Sequence, residues 1–138
     1  EVQERIILVA NGAYGGAKEL CELANYLGKQ YAYACEKLCE KAGIPKEEVD
    51  LVGNHGQTVW HMPEQAQYLH DMVRGTLQIG EDSYIAQALG CPVVGATNTC
   101  GSFRGFCRSH TSPKSRCIRV PISMSRLGRW ICPVLKST

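Results

Sequence analysis

The side chains best suited to chemistry fall in two short polar segments. The first is Asp50-Leu51-Val52-Gly53-Asn54-His55-Gly56-Gln57-Thr58-Val59-Trp60-His61, and the second is Gly75-Thr76-Leu77-Gln78-Ile79-Gly80-Glu81. A Gln amide, a Thr hydroxyl and a neutral imidazole can each donate and accept a hydrogen bond. His55, Gln57, Thr58 and Gln78 therefore suit the orientation of a polar ligand, and Gly53, Gly56 and Gly80 would let the backbone come close to it. The bland alternative is that these side chains only satisfy the backbone of their own turn, as Asn, Thr and His often do.

Elements to position these groups can be read on either side. The apolar pair Leu51 and Val52 leads directly into the glycine-punctuated segment, as a buried strand does when it ends in a tight turn. Thr76 to Ile79 reads as a second strand, with Gly80 as its turn. A helix follows from about Glu81 to Leu89, capped by Gly90, and then a strand over Cys91 to Gly95, so that this part predicts a β-α-β unit. Glu81 fits the acidic first turn of that helix better than a ligand role. Upstream, Leu20, Leu23, Leu27, Tyr31, Ala34 and Leu38 recur every three or four residues from Ala17, which predicts an amphipathic helix ending near Ala42 at Gly43 and Pro45. Gly28, in its middle, predicts close approach of another element. Ile6 to Ala10 is an apolar run that fits a helix end or a strand equally. Glu64 to Arg74 reads as a polar connection.

With both segments in view, the chain resembles the anhydro-N-acetylmuramic acid kinases, in which Gly-x-His-Gly-Gln-Thr is followed by Thr-Leu-Gln-Ile-Gly and a short helix. The resemblance runs from roughly Leu20 to Gly95, an internal slice of a longer kinase. It implies an α/β class, here part of one lobe of an actin-like or hexokinase-like two-lobed fold. It also implies a carbohydrate kinase that moves a phosphoryl group from ATP, with Mg²⁺, onto 1,6-anhydro-N-acetylmuramic acid while the anhydro ring opens. That reaction serves amino-sugar and cell-wall recycling in the cytoplasm. On this view His55, Gln57, Thr58 and Gln78 hold the sugar, with His61 and Trp60 beside it. Two family segments find no counterpart: the Ser-Gly-Thr-Ser phosphate segment, which nothing before Ala17 matches, and the base-bearing Asp segment after Gly95. Gly15-Gly16 also lacks the Lys and Ser or Thr of a P-loop. No catalytic residue is therefore assigned, and the 138-residue chain is expected to be inactive as written.

Composition divides the chain at Gly95. All 13 acidic residues lie at or before Asp82, and eight of the 15 Lys and Arg lie after Gly95, so the overall charge of +2 hides an acidic body and a basic tail. Residues 96–138 show no period of two or of 3.6, and are expected to be irregular, as a shifted reading frame or retained intron would produce. The organisation expected is thus a partial kinase-like domain over 1–95 and a basic tail over 96–138. The start on Glu1 suggests a piece of something longer. No stretch approaches the roughly 20 apolar residues of a membrane span. Eight cysteines form no Cys-x-x-Cys pair. Cys35, Cys39, His55 and His61 come near a zinc-finger spacing, but the helical pattern around the Cys pair opposes it, and no metal site is assigned. Expected partners are the amino sugar and ATP, with a homo-oligomer left open. The alternatives are a non-catalytic amino-sugar-binding remnant, or a nucleic-acid-binding protein acting through the tail, which is disfavoured by its few aromatic residues.

Overall fold

A computed structural model describes residues 1–13, 15–95 and 117–120, the last four through their backbone alone. The chain runs α1 (Val2–Ala10), α2 (Ala17–Ala42), a 3-10 turn (Lys46–Glu48), β1 (Leu51–Asn54), β2 (Gln57–Tyr68), β3 (Asp71–Ile79), α3 (Asp82–Leu89), β4 (Val93–Gly95) and β5 (Cys117–Val120).

The undecided run at Ile6 is helical because the residues after it close a helix end. Gly12 takes φ 75°, and the Ala13 N–H donates back to the Leu8 carbonyl at 2.9 Å. That satisfies a terminal carbonyl. α2 keeps its predicted limits. Leu23, Leu27, Tyr31, Ala32, Cys35 and Cys39 line its buried face, at the spacing of one helical stripe. Gly43 closes it at φ 64°, with the Ile44 N–H donating to the Cys39 carbonyl at 3.0 Å.

The strands form two separate sheets. β1 lies between β4 and β5, parallel to both, with Val52 opposite Val93 and Ile118. β2 and β3 form an antiparallel hairpin. The expected β-α-β unit is corrected here: β3 and β4 flank α3 in sequence, but β4 pairs with β1. The right crossover is therefore β1 to β4, with the hairpin and α3 inserted between them. The expected polar connection from Glu64 to Arg74 is also corrected, since both strands continue through it to a two-residue turn at Leu69 and His70. Pro63 lies where the register shifts between Met62 and Ala66; a residue without an N–H is tolerated in a strand at such a bulge.

Within the tail expected to be irregular, Cys117–Val120 forms β5. The other tail expectations, including the missing Asp segment, concern residues 96–116 and 121–138, which lie outside the described residues. Among the described residues no helix is long and apolar enough to cross a membrane.

Val52 and Ile85, both fully buried, bring β1 and α3 into one core with Leu23, Leu27, Tyr31 and Cys35 of α2. Gly28 is where α2 meets the start of α3: a Cβ there would come 2.5 Å from the Glu81 carbonyl oxygen. The Ala24 carbonyl accepts the Glu81 N–H at 3.0 Å, and the Tyr84 hydroxyl donates to Asn25 at 3.2 Å. This docking fixes the N-terminus of α3 beside the end of β1.

Candidate functional site

The site begins where β1 ends. Asn54, 1% exposed, turns the chain by accepting the Gly56 N–H on Oδ1 at 3.1 Å, the Asx geometry that lets a short amide replace a backbone partner. Its Nδ2 donates to Oδ1 of Asp82 in the first turn of α3. Gly56 takes φ 67°, and a Cβ there would sit 3.0 Å from the Ile79 carbonyl oxygen and 3.3 Å from Gln78 Cβ. The turn therefore packs directly on the end of β3.

His55 is half-buried, with Nδ1 3.2 Å from the Gly56 carbonyl. A carbonyl only accepts, so this contact keeps a proton on Nδ1 and makes Nε2 the acceptor of the neutral ring. Thr58 and Gln78 stand directly opposite each other across the hairpin. Gln78 donates through Nε2 to the Thr76 hydroxyl at 2.8 Å, and that hydroxyl donates to the Trp60 carbonyl at 3.2 Å. Gln78 Oε1 is buried with no hydrogen-bond partner.

His55, Thr58 and Gln78 are thus brought to one end of the hairpin around Gly56. Gln57 is not on the face of Thr58 and Gln78. Strand alternation sends it inward opposite Ile79, where it is 5% exposed and its Nε2 donates to the Thr58 carbonyl at 2.9 Å. His61 lies farther along β2, exposed and opposite Thr76. With Thr58, Val59, exposed Trp60 and Ala10 it lines a shallow open groove of about 340 Å³.

Two of the glycines expected to admit a ligand also lie close to other parts of the protein. A Cβ on Gly80, at φ 126°, would come 2.5 Å from the Tyr31 ring, and Gly56 abuts Ile79. Gly53 is buried within β1 between β4 and β5. Packing already favours the absence of a side chain at Gly56 and Gly80. Glu81 is the N-cap of α3, its Oε1 accepting the Ser83 N–H at 3.3 Å, the role expected of it. Cys35 and Cys39 face the core from α2.

Sequence reading missed Asn54 and Asp82 as partners. Their pairing joins positions 28 residues apart, and only the Asn before His55-Gly56 hinted at an Asx turn. The second Asp82 oxygen, Oδ2, lies against Gly95 at the end of β4, in the space a side chain there would occupy. Burial pushes the Asp82 carboxyl above its ordinary value; the Asn54 hydrogen bond opposes this, and the neighbouring Glu81 charge adds to it.

The Gly15-Gly16 segment does not form an open phosphate cradle. At the start of α2, the position that Gly15-Gly16 would offer to a phosphate, the Gly15 N–H already donates to Glu19. Glu19 is in turn paired with Arg5 at 3.1 Å. A phosphate would meet a carboxylate there. Nor do three or more His, Cys, Asp or Glu converge as metal ligands among the described residues.

Parallel strands that end in a hydrogen-bonding turn, with a part-buried carboxylate on the adjoining helix, define an α/β protein with a polar site at the carboxyl ends of its strands, the usual ligand position in such sheets. The chain belongs to the anhydro-N-acetylmuramic acid kinase family, whose model matches residues 1–99. The match extends past both ends of the resemblance read from the motifs. Anhydro-N-acetylmuramic acid kinase of Caldanaerobacter subterraneus subsp. tengcongensis is 38% identical over 94 residues, 68% of this chain and 24% of that protein. The enzyme of the same name from Salinibacter ruber is 42% identical over 83 residues, 60% of this chain and 21% of the relative. A third, from Bacillus cereus strain B4264, is 39% identical over 75 residues, 54% and 18% respectively. The chain therefore spans about a quarter or less of the length of these curated relatives.

Proposed function

We propose that this chain carries the amino-sugar-binding part of an ATP-dependent kinase acting on 1,6-anhydro-N-acetylmuramic acid. The product would be N-acetylmuramic acid 6-phosphate, formed in the cytoplasm during recycling of cell-wall amino sugars. The described elements would belong to one lobe of an actin-like or hexokinase-like fold. His55, Thr58 and Gln78 hold the sugar in this reading, His61 borders it from the groove, and Gln57 braces the turn from the core side. ATP and Mg²⁺ would be the cofactors of that reaction.

One observation carries the reading. Gln78 Oε1 is buried without a partner beside Thr58 and the His55-Gly56 turn. Leaving a buried acceptor unmet costs about 1 to 3 kcal/mol. A sugar hydroxyl or the N-acetyl N–H would satisfy it. If the amide is turned the other way, its NH₂ becomes the orphan, and a sugar oxygen would satisfy that instead.

Calorimetry with the purified chain and 1,6-anhydro-N-acetylmuramic acid tests the binding. Saturable heat is expected, and Gln78→Met should weaken it about ten-fold, the loss of roughly 1.4 kcal/mol. A folded chain that releases no heat with the sugar would sink the reading. With ATP and Mg²⁺ added, no phosphorylated sugar is expected from these 138 residues, because general base and phosphate cradle each contribute orders of magnitude in rate. Product detected by mass spectrometry would overturn the inactivity.

A further inference from the structure

Three elements meet at Asp82. Oδ1 accepts from Asn54 at the end of β1, Oδ2 rests against Gly95 at the end of β4, and the residue itself opens α3. Asn54 divides its amide between two tasks: Nδ2 goes to Asp82, and Oδ1 goes to the Gly56 N–H of the polar turn. At 1% exposure, Asn54 has no water to replace either bond, so neither can be lost without leaving a buried polar atom unmet. The amide plane is rigid. Fixing Nδ2 on Asp82 also fixes where Oδ1 can meet Gly56, and hence where His55 stands.

We propose that Asn54 and Asp82 are positioning residues, a latch that holds the His55-Gly56 turn in its binding geometry by tying it to the first turn of α3. Neither is required to touch the sugar. The latch itself stands on the geometry alone, whereas its effect on affinity rests on the sugar-binding reading proposed above.

The surroundings make Asp82 the group that sets the latch. The charged neighbour that acts on it among the described side chains is Glu81, beside it in the cap of α3; on the side of the turn, His55 follows Asn54 in sequence and its Nδ1 faces the Gly56 carbonyl. α2 presents Ala24 and Gly28 to this end of α3, while its Lys29 lies over the Tyr84 ring instead. β4 presents Gly95. Glu81 already accepts from Ser83. Asn54 is the one side chain that donates to Asp82 among the described residues.

Gly95 gives a way to disturb the latch without altering either member. Oδ2 of Asp82 is the far end of a side chain that can rotate, so a methyl group at position 95 would push it aside and break the Asn54 bond while the strand stays in place.

The test has two arms on the full 138-residue chain. Without ligand, the Asn54 side-chain amide and the Gly56 backbone amide are followed by NMR as pH is varied. Both are expected to shift together with the Asp82 carboxyl, and Asp82→Asn, whose side-chain oxygen still accepts from Asn54, should abolish the shift while the rest of the spectrum stays folded. Amides that ignore the Asp82 titration would overturn the latch whether or not sugar binds. In the second arm, Asp82→Ala and Gly95→Ala should each weaken sugar binding about ten-fold, the affinity worth of one hydrogen bond of roughly 1.4 kcal/mol, and Asp82→Asn should restore it to near the parent value. Parental affinity in both Ala variants would refute the positioning role. If the parent chain does not bind sugar, the proposed function fails, and the first arm alone decides the latch.

Discussion

Gln78 is the residue at which binding and stability should trade most openly. Its buried Oε1 has no partner, so replacing the amide by an apolar side chain of similar shape removes a desolvated oxygen, which offsets the loss of the Nε2 bond to the Thr76 hydroxyl. Gln78→Met is therefore expected to be neutral or stabilising by up to about 1 kcal/mol in urea denaturation, in the same variant that loses sugar affinity. A clear loss of stability would show that the oxygen is satisfied in solution. Asp82 should show a related conflict through pH. Its carboxyl is raised, chiefly by burial, so the fold favours the protonated form. That contribution is fully present below the unfolded value, about pH 4, and is lost as pH rises through the folded value. Asp82→Asn stays neutral throughout. Its stability advantage over the parent should be absent in acid, grow as pH rises from about 4 through the folded value, and level off above it; an advantage independent of pH would contradict the burial argument.

The hairpin is the element most exposed to a test of backbone geometry. Leu69 holds φ 54° at its turn, in the left-handed region where a Cβ costs roughly 1 to 2 kcal/mol. It is 75% exposed, so little packing compensates. Leu69→Gly is expected to raise stability by about 1 kcal/mol, read as a higher denaturation midpoint with an unchanged slope. The same residue explains why the hairpin could not be read in the sequence. A tight hairpin turn usually declares itself by Gly or Asn, and here Leu69 and His70 fill it, while Pro63 interrupts the alternation of β2. α2 and α3 were legible because periodicity and terminal glycines agreed. At the site, the motif positions of His55, Thr58 and Gln78 were visible, and the inward turn of Gln57 was not, since it depends on which face of the hairpin meets the core. The partnership of Asn54 with Asp82 depends on α3 docking at Gly28, a contact no local pattern encodes. The pairing of β4 with β1 was hidden for a similar reason: the hairpin between them made β3 look like the natural neighbour.

At the scale of the whole molecule, several large apolar side chains among the described residues face solvent. Trp60, Tyr68, Leu69, Met72 and Leu77 are exposed on the hairpin, and Ile7 and Leu8 on α1. Where such side chains cluster, they mark surfaces that associate. Sedimentation of the purified chain is expected to show an apparent mass that rises with concentration and persists in about 1 M salt, where the Debye length falls to about 3 Å. Tyr68→Lys should weaken that association; a concentration-independent monomer would refute it. The placement of β1 between two parallel partners bears on the birth of the chain at the ribosome. β2 and β3 can close within microseconds of emerging, but β1 must wait for Val93–Gly95 and again for Cys117–Val120 before its edges are paired. At about 5 to 20 residues per second of synthesis, that wait lasts seconds, long enough for a chaperone to compete for the bare strand, so the yield of native chain should depend more on translation speed between codons 55 and 120 than on anything that happens after release.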